Sequence, residues 1–323
     1  MRIVFMGTPE FAVPSLEALL RSEHPVVGVV TQPDRPKGRG GLVTPSPVKS
    51  VCQREGIALL QPEKMKALEF LDALRAWLPD LIVVAAFGRI LSPVILDLPP
   101  RGCINVHASL LPKYRDAGPI QWAIINGDRE TGVTTMLMDA GMDTGAILLQ
   151  EPMAIEPNDT AGTLSVRLAA LGGRLLIRTV DRWQRDSVTP QPQDHSKATL
   201  APLLKKEDGA IDWNLPATVI ANRVRGLSPW PGAYTYAGYE RWTIWRASPV
   251  SRQSDVDVPP QPGTVVGIAQ DAILVAAGES MLEILELQPA NGRRMTASHY
   301  VAGHRLSPNT ILSAQPAGAS KSQ

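Results

Sequence analysis

Two polar side chains, Asn105 and His107, stand at alternate positions in a run whose other residues are apolar. The run Cys103–His107 has the composition of a buried strand, and residues two apart on a strand share one face. We expect both side chains at the carboxyl end of that strand. In open parallel sheets covered by helices, ligands bind beyond the carboxyl ends of the strands. An amide donor beside an imidazole suits the stabilisation of an oxyanion on a carbonyl carbon. A buried polar pair that only satisfies the end of a strand has the same spacing, so the motif alone leaves both interpretations open.

The loop that follows a second strand-like run, Gly132–Met138, carries two aspartates, Asp139 and Asp143. If the topology brings this loop beside the first run, one of the carboxylates could orient His107. Aspartates in glycine-containing loops also cap backbone amides, and that structural role is the common one. The loop is therefore a catalytic candidate only in combination with the asparagine and the histidine.

Residues 31–41 form a glycine- and proline-rich segment with a local excess of basic side chains, and no acidic residue occurs between positions 35 and 54. The basic side chains of interest here are Arg35, Lys37, Arg39 and Lys49. A flexible basic loop beside a sheet can contact a phosphate backbone. A solvated surface loop is the alternative interpretation, and it is common for so few charges.

The composition limits the possible classes of protein. The chain has 323 residues, with 32 basic and 31 acidic side chains, 44% hydrophobic residues and 20% charged residues. These values exclude a largely disordered chain, and a net charge of +1 means that any nucleic-acid contact rests on a local patch. The two cysteines form no C-x-x-C pair, which excludes a disulfide framework and argues against structural zinc.

Several further classes are disfavoured because their motifs are missing. The turn Gly7-Thr8-Pro9-Glu10-Phe11 lacks G-x-G-x-x-G, so we expect no nicotinamide cofactor, and the sequence contains no P-loop motif. The chain opens in a strand-like run with no signal peptide, and its apolar runs are far shorter than the roughly 20 residues of a membrane span. We therefore expect a cytoplasmic protein with no membrane partner and no metal.

The first 189 residues alternate strand-like and helix-like segments. Strands are predicted at Arg2–Met6, Val26–Thr31, Leu81–Ala85, Cys103–His107 and Gly132–Met138. Helices are predicted at Glu10–Arg21, Pro45–Arg54, Glu63–Trp77 and Thr160–Arg185. Apolar strands that alternate with helices are typical of a mostly parallel sheet covered on both faces, so we predict an α/β domain over residues 1–189.

The second half has a different pattern. Residues 190–206 are polar and proline-rich, and we predict that they form a linker. A short helix follows at Pro216–Arg225, and short strands are predicted at Ala233–Tyr236, Arg241–Ala247, Gly263–Ile268, Ile273–Ala276 and Leu282–Leu287. This pattern favours a small β-barrel or sandwich over residues 207–312, with a disordered tail at 313–323.

Taken together, these motifs resemble those of the methionyl-tRNA formyltransferases over nearly the whole chain apart from the tail. The matching strings are Gly7–Ala12, Thr31–Pro36 with Gly38–Gly40, Pro45–Lys49, Cys103–Pro112, Ala117–Gln121, Gly127–Thr134, Met138–Gly145, Ile211–Trp213 and Ser228–Ala233. The resemblance implies a Rossmann-like formyltransferase domain followed by an OB-like β-barrel that binds tRNA. It implies transfer of the formyl group of 10-formyltetrahydrofolate to the α-amino group of methionyl-initiator tRNA, for translation initiation.

The resemblance also implies roles for individual residues. The family's catalytic trio corresponds to Asn105, His107 and Asp143. Its folate-contacting positions correspond to Ser109, Leu110, Leu111, Pro112, Phe87, Gly88, Ile90, Leu91 and Asp139. The basic loop looks like the family's segment that enters the end of the tRNA acceptor stem, with Arg39 at the position of its key arginine, and Arg35, Lys37 and Lys49 are the other basic side chains expected to bind tRNA there. Apart from the resemblance, we expect basic side chains of the barrel to contact the tRNA backbone, namely Lys205, Lys206, Arg223 and Arg225. We expect the protein to act as a monomer.

One position departs from the family pattern. The sequence Tyr114-Arg115-Asp116 has an aspartate where relatives have a glycine. If that glycine serves a positive φ, aspartate is one of the few substitutes that tolerate it. If the glycine instead makes room for the formyl donor, Asp116 alters that contact.

Two alternatives remain open at the level of sequence. A formyltransferase that acts on a small amine would share the catalytic trio but would need neither the basic loop nor this carboxyl-terminal barrel. A non-catalytic folate- or RNA-binding protein would keep the fold, and the intact trio argues against it.

Overall fold

The computed structural model describes residues 1–37, 42–250, 260–269, 271–278 and 280–318, and the chain divides into two compact units. The first unit comprises residues 1–120, 130–154 and 163–202. The second unit comprises residues 121–129, 155–162 and 203–323. The boundary therefore falls after residue 202 and not after 189, because residues 190–202 are hydrogen-bonded to the first unit. In the part of the chain that is described, no helix is long and apolar enough to cross a membrane.

The first unit is built on a seven-stranded sheet and a separate hairpin. The strands along this part of the chain are β1 (Ile3–Gly7), β2 (Val26–Val30), β3 (Arg35–Lys37), β4 (Leu42–Thr44), β5 (Leu59–Leu60), β6 (Leu81–Ala85), β7 (Cys103–His107), β8 (Glu130–Leu137) and β9 (Ile147–Ala154). The sheet order is β5-β2-β1-β6-β7-β8-β9, and β3 pairs only with β4. The first five strands in that order run parallel, whereas β8 and β9 are antiparallel to their neighbours.

The helices along this half of the chain are α1 (Val13–Leu20), α2 (Pro47–Glu55), α3 (Leu68–Ala76), α4 (Pro93–Leu96), α5 (Pro119–Ile125) and α6 (Ala161–Gln184). Local signals set the ends of α2. The hydroxyl of Ser46 accepts a hydrogen bond from the backbone N–H of Lys49, and Gly56 ends the helix with a φ of 66°. Both are common capping arrangements, since a serine oxygen satisfies a free amide and glycine adopts positive φ without strain.

The predicted mostly parallel α/β fold is confirmed, and its central strands lie where continuous apolar runs predicted them. Strand β9 was not predicted because its burial alternates and Pro152 interrupts its apolar pattern. Helix α3 begins at Leu68, five residues later than predicted, and a non-helical segment precedes it. Helix α5 has only seven residues, too few for a clear helical period.

The second unit is a barrel-like antiparallel sheet with two helices, α7 (Ala217–Gly226) and α8 (Ala297–Gly303). Its strands are β10 (Ala233–Ala237), β11 (Glu240–Val250), β12 (Val265–Ala269), β13 (Ala272–Ala277), β14 (Ser280–Pro289), β15 (Met295–Thr296) and β16 (Leu312–Ser313). The order is β12-β13-β14-β11-β10-β16, with β15 beside β14. Backbone hydrogen bonds from Val265 N to Thr310 O (2.8 Å) and from Leu312 N to Gly263 O (2.7 Å) link the two ends of this sheet. This arrangement confirms the predicted OB-like architecture.

The core of the second unit centres on Trp242, which is fully buried. Its ring lies 4.9 Å from that of Tyr300, and the indole N–H and the phenol O–H both donate to Glu240 Oε2 at 2.8 Å. The first residue of the predicted disordered tail, Ser313, belongs instead to strand β16 of this unit. Ser313 pairs with Tyr236 on β10, and its carbonyl accepts a hydrogen bond from Thr235, because the barrel needs this strand at its open edge.

Candidate active site

Two polar side chains of β7, Asn105 and His107, meet a third, Asp143, which comes from a distant part of the sequence. The amide Nδ2 of Asn105 donates to Asp143 Oδ1 at 3.3 Å, and His107 Nδ1 lies 3.6 Å from Asp143 Oδ2. The side chains of His107 and Asp143 are 7% and 14% exposed, so the cluster is largely shielded from water. The juxtaposition predicted from the sequence is therefore present in the fold.

The topology explains how Asp143 reaches the other two side chains. Strand β8 runs antiparallel to β7, with His107 opposite Thr134 and Ile104 opposite Leu137. The chain then turns back over the sheet, and Asp143 has a φ of 50°. Gly145 is required in this turn, because a Cβ there would lie 1.7 Å from the carbonyl oxygen of Leu137.

The hydrogen bonds of His107 define where a proton can be added. Its Nε2 lies 2.8 Å from the carbonyl oxygen of Tyr114, which can only accept, so Nε2 carries a hydrogen. In the neutral ring Nδ1 is then unprotonated and faces the carboxylate of Asp143. A proton taken up at Nδ1 would point at that carboxylate and form a charge-assisted hydrogen bond.

The segment Tyr114–Asp116 follows the predicted folate-contacting residues 109–112 and supplies a further contact to Asp143. The backbone N–H of Asp116 donates to Asp143 Oδ2 at 2.9 Å. Asp116 has a φ of 90°, and its carboxylate accepts a hydrogen bond from the N–H of Ala117 at 2.7 Å. The glycine of the family pattern therefore corresponds to a left-handed backbone position, which favours the first of the two explanations for this departure.

We expect the variant Asp116→Gly to keep kcat within about threefold of wild type, because glycine retains the backbone N–H that contacts Asp143. Relief of the positive φ should leave the free energy of unfolding unchanged or raise it by up to about 1 kcal/mol. Steady-state kinetics and urea unfolding test this, with Asp116→Val as the contrast, since a β-branched residue there should lower stability by about 1–3 kcal/mol. A loss of kcat above about 100-fold in Asp116→Gly would instead assign the carboxylate a direct role.

The four residues predicted to contact folate after β7 divide into two kinds. Ser109 and Leu111 are buried, and the Ser109 hydroxyl donates to Lys113 O at 2.6 Å. Thr134 accepts from the N–H of Leu111 at 3.1 Å and donates to Ser109 O at 2.6 Å. These contacts hold the loop against β8. Leu110 and Pro112 are half-buried and keep part of their apolar surface accessible.

The folate-contacting positions predicted within residues 87–91 also differ in their exposure to solvent. Phe87 and Leu91 are buried in the core of the first unit, whereas Ile90 is 77% exposed. Gly88 has a φ of 72°, and a Cβ there would lie 2.6 Å from the amide nitrogen of Gln32. Since that amide donates to the carbonyl oxygens of Phe87 (2.8 Å) and Gly88 (3.3 Å), glycine allows the loop to be tied down.

Asp139 makes its hydrogen bonds within its own loop and not with Asn105, His107 or Asp143. Its Oδ1 accepts from the N–H of Gly141 (3.0 Å) and from the hydroxyl of Thr144 (2.7 Å), which is the structural capping role considered for this loop. It lines an open groove of about 550 Å³ together with Leu96, Cys103 and Met138. That groove lies at the amino end of β7, roughly 13 Å along the strand from His107. Its volume alone does not identify the site, whereas the convergence of polar side chains does.

The thiol of Cys103 is not a nucleophile in this site. The side chain is 1% exposed, and its thiol lies near the carbonyl oxygens of Ile95 (3.8 Å) and Leu96 (3.7 Å). Burial, with a smaller contribution from Asp97, raises the pKa of Cys103 to about 12. The thiolate is therefore scarce at neutral pH, and no covalent intermediate through Cys103 is needed.

The predicted tRNA-contacting residues of the first unit are only partly described. Arg35 is exposed on β3, and Lys37 ends that strand, whereas Arg39 lies outside the described residues. The ammonium of Lys49 forms an ion pair with Asp34. Hydrogen bonds from Lys49 and then Gln61 lower the pKa of the Asp34 carboxyl, so the charge of Lys49 already has a partner.

The predicted tRNA-contacting residues of the second unit fall into two groups, exposed lysines and arginines that bind backbone carbonyls. Lys205 and Lys206 are exposed at the start of the unit. The guanidinium of Arg223 donates to Asp208 O at 2.7 Å, and that of Arg225 donates to Asp159 O at 3.0 Å. Burial lowers the pKa of Arg225, which fits an arginine that holds backbone carbonyls. We assign the two arginines mainly to structure and leave the two lysines accessible to an anion.

Sequence reasoning missed the buried polar residues behind this site. Gln193 donates to the carbonyl oxygen of Asp143 and accepts from the side chain of Arg115. Gln193 lies in the segment predicted as a linker, where neither periodicity nor charge marks it. Only the fold brings it beside the loop that carries Asp143.

The chain matches the family model "Formyl transferase" over residues 1–180 and the model "Formyl transferase, C-terminal domain" over residues 203–305. It is 48% identical to the methionyl-tRNA formyltransferase of Desulfotalea psychrophila, over 97% of this chain and 95% of that protein. It is 50% identical to the methionyl-tRNA formyltransferase of Caldanaerobacter subterraneus, over 97% of this chain and 100% of that protein.

Solved structures with much lower sequence identity share the fold. One is HypX from Aquifex aeolicus in complex with tetrahydrofolic acid, with a TM-score of 0.61 and 16% identity over 93% of this chain and 47% of that one. Another is WlaRD, a sugar 3N-formyltransferase crystallised with dTDP and 5-N-formyl-THF, with a TM-score of 0.64 and 17% identity over 91% and 99% of the two chains.

Proposed function

Because this chain belongs to the methionyl-tRNA formyltransferase family, we propose that Asn105, His107 and Asp143 carry out its formyl transfer from 10-formyltetrahydrofolate to the α-amino group of methionyl-initiator tRNA. The observation that carries this assignment is that Asn105 and His107, on one face of β7, both meet the carboxylate of Asp143.

The reaction needs no nucleophile from the protein. An α-amino group has a pKa of about 7.7–8.0, so a useful fraction is neutral near pH 7. The amine nitrogen attacks the formyl carbon, the carbonyl oxygen becomes an oxyanion, and the bond from carbon to the folate nitrogen then breaks. The amine loses one proton and the folate nitrogen gains one, so the protein must stabilise the oxyanion and move a proton.

Asn105 is suited to hold the oxyanion. Its amide has two N–H groups, and one of them donates to Asp143 Oδ1. That contact fixes the plane of the amide and leaves the second N–H for the substrate. A donor oriented before the reaction stabilises developing charge without reorganisation, and such donors are typically worth about 10²–10³ in kcat.

His107 and Asp143 are suited to carry the proton. With Nε2 donating to the carbonyl of Tyr114, Nδ1 can accept a proton and hold it against the carboxylate of Asp143. The same carboxylate is held by the N–H of Asp116. The pair can therefore take a proton from the attacking amine and return it to the folate nitrogen, directly or through water.

Three of the residues predicted to contact folate, together with Met142, expose apolar surface that suits a flat, partly apolar donor. Ile90 and Met142 are apolar side chains that are 77% and 53% exposed, and Leu110 and Pro112 are half-buried. Exposed apolar side chains in loops beside a polar cluster are typical of ligand sites. We propose that these residues contact the folate ring system, whereas Ser109, Leu111 and Phe87 support their loops from within.

For the tRNA, we propose contacts from the basic loop at 35–39 and from Lys205 and Lys206. The support is the resemblance to the tRNA-specific family and the exposure of Arg35 and of both lysines. We further propose that the protein is a monomer in the cytoplasm, where the family's role in translation initiation requires it.

The direct test of substrate class is to assay formyl transfer from 10-formyltetrahydrofolate to methionyl-initiator tRNA and to small amines, including an amino sugar nucleotide and glycinamide ribonucleotide. We expect formylmethionyl-tRNA as the product and no transfer to the small amines. Efficient transfer to a small amine, with none to the tRNA, would contradict the proposal and support the first alternative.

The tRNA contact of the basic loop has its own test. The variant Arg39→Ala should raise KM for the tRNA with little change in kcat, because a phosphate contact contributes to binding. It should also reduce the slope of log KM against log salt concentration by about 0.7–0.9. Arg75→Ala, which removes an exposed arginine paired with Asp72, is the control and should leave the slope unchanged. An unchanged slope in Arg39→Ala would refute this contact.

A further inference from the structure

Behind the catalytic cluster lies a buried pair of polar side chains, Arg115 and Gln193, which are 7% and 6% exposed. Arg115 donates to Gln193 Oε1 from Nε at 3.2 Å and from Nη2 at 2.7 Å. Nη2 also lies 3.1 Å from His195 Nδ1. Burying polar groups costs free energy unless they are hydrogen-bonded, and these contacts offset that cost.

The amide of Gln193 holds the loop of Asp143. Its Nε2 donates to the carbonyl oxygens of Asp143 and Gly145, both at 2.8 Å. These two carbonyls flank the point at which the chain turns back, and Asp143 itself has a φ of 50°. Aspartate tolerates this left-handed conformation, and the two hydrogen bonds from Gln193 hold the loop in it.

The same segments also contact the other catalytic groups. Tyr114, next to Arg115, provides the carbonyl that binds His107, and Asp116 provides the N–H that binds the Asp143 carboxylate. The path from His107 through Tyr114, Arg115, Gln193 and Asp143 back to His107 is therefore closed. A shift of any residue in this closed path is therefore expected to change the distance between His107 and Asp143.

The part of the chain that carries Gln193 is itself fixed in the first unit. Gln191 pairs with Ile147, the first residue of β9, with backbone hydrogen bonds of 2.8 Å in both directions. The N–H of Arg115 donates to Thr199 O at 2.9 Å, and the N–H of Ala201 donates to Arg115 O at 2.8 Å. Residues 190–202 are thus built into the catalytic unit on both sides of Gln193.

We propose that Gln193, held by Arg115, is a positioning residue for the formyl transfer, and that it acts by fixing the backbone at Asp143. The segment 190–202 is then part of the catalytic apparatus as well as a connection to the second unit. This inference rests on the proposed role of Asp143, because Gln193 can affect the reaction only through that residue.

The test uses the full-length variants Gln193→Ala and Gln193→Glu. Glutamate keeps the side-chain volume and an acceptor for Arg115 but has no N–H to give to the two carbonyls. We expect both variants to lower kcat about 10- to 100-fold, with KM for methionyl-tRNA and for the folate donor within about threefold of wild type. Gln288→Ala is the matched control, since Gln288 also accepts from one side chain and donates to one carbonyl, in the second unit. It should leave kcat unchanged.

A double-variant cycle separates this proposal from the one on which it rests. In the background of Asp143→Asn, Gln193→Glu should cause little further loss of kcat, because the group that it positions is already disabled. If Asp143→Asn is impaired and Gln193→Glu folds with wild-type kcat, the positioning role is wrong and the catalytic assignment stands. If Asp143→Asn itself has wild-type kcat, the catalytic assignment is wrong.

Discussion

Replacement of Asn105 by alanine is expected to lower kcat for formyl transfer about 10²–10³-fold, which is the usual cost of losing an oxyanion donor. The amide of Asn105 is oriented by Asp143 Oδ1, and no other side-chain amide among the described residues contacts that carboxylate. Since the donor acts on the oxyanion, the Kd for 10-formyltetrahydrofolate should change by no more than about threefold. Steady-state kinetics with methionyl-initiator tRNA and equilibrium titration of the folate measure the two effects separately.

The matched control for this prediction is Asn214→Ala. Asn214 Nδ2 donates to Asp212 Oδ1 at 2.8 Å. This substitution therefore removes the same kind of amide–carboxylate contact, but from an exposed turn of the second unit. We expect wild-type kcat in the control. Near-normal kcat in Asn105→Ala would remove Asn105 from the mechanism, and a large loss of folate binding would make it a binding residue instead.

Replacement of Asp143 by asparagine is expected to have the larger effect, a loss of about 10³–10⁴ in kcat. Asparagine in place of a carboxylate that partners a catalytic histidine can cost about 10⁴, because the neutral amide cannot stabilise the imidazolium. Here the carboxylate faces His107 Nδ1 at 3.6 Å and also accepts from Asn105 and from the N–H of Asp116. One substitution therefore disturbs both the proton carrier and the oxyanion donor.

A second histidine and aspartate pair provides the control for this variant. His24 Nε2 lies 3.0 Å from Asp181 Oδ1, with His24 buried and Asp181 partly exposed. Asp181→Asn should leave kcat within about twofold of wild type. The comparison shows whether the loss in Asp143→Asn comes from the position of the carboxylate or from any histidine partner. Equal kcat in wild type and Asp143→Asn would contradict the proposed proton transfer.

The shared position of Asn105 and His107 on one strand face could be predicted from the sequence alone. Asn105 and His107 are two apart on a strand, and the alternation of side chains on a strand is a local property. Asp143 joins them only because β8 runs antiparallel to β7 and its loop folds back, which depends on long-range pairing. The family resemblance, and not periodicity, identified that carboxylate.

The remaining contacts could not be predicted from local patterns. Gln193 reaches Asp143 from a proline-rich segment that has no helical or strand period. Its partner Arg115 lies between Tyr114 and Asp116, which both have a positive φ that no local pattern predicts. Buried strands of the parallel sheet were predictable because they are apolar throughout. Strand β9 was not, because an edge strand with one exposed face and a proline lacks that signal.

The central claim is that Asn105, His107 and Asp143 act as one unit on the formyl group. The most direct test is the single-turnover rate constant of formyl transfer to methionyl-initiator tRNA in Asn105→Ala, Asp143→Asn and the variant that combines both. Because residues that act as a unit are strongly non-additive, we predict that the combined variant will be about as slow as Asp143→Asn alone. A combined loss equal to the product of the two separate losses would show that the two side chains act independently, and it would contradict the claim.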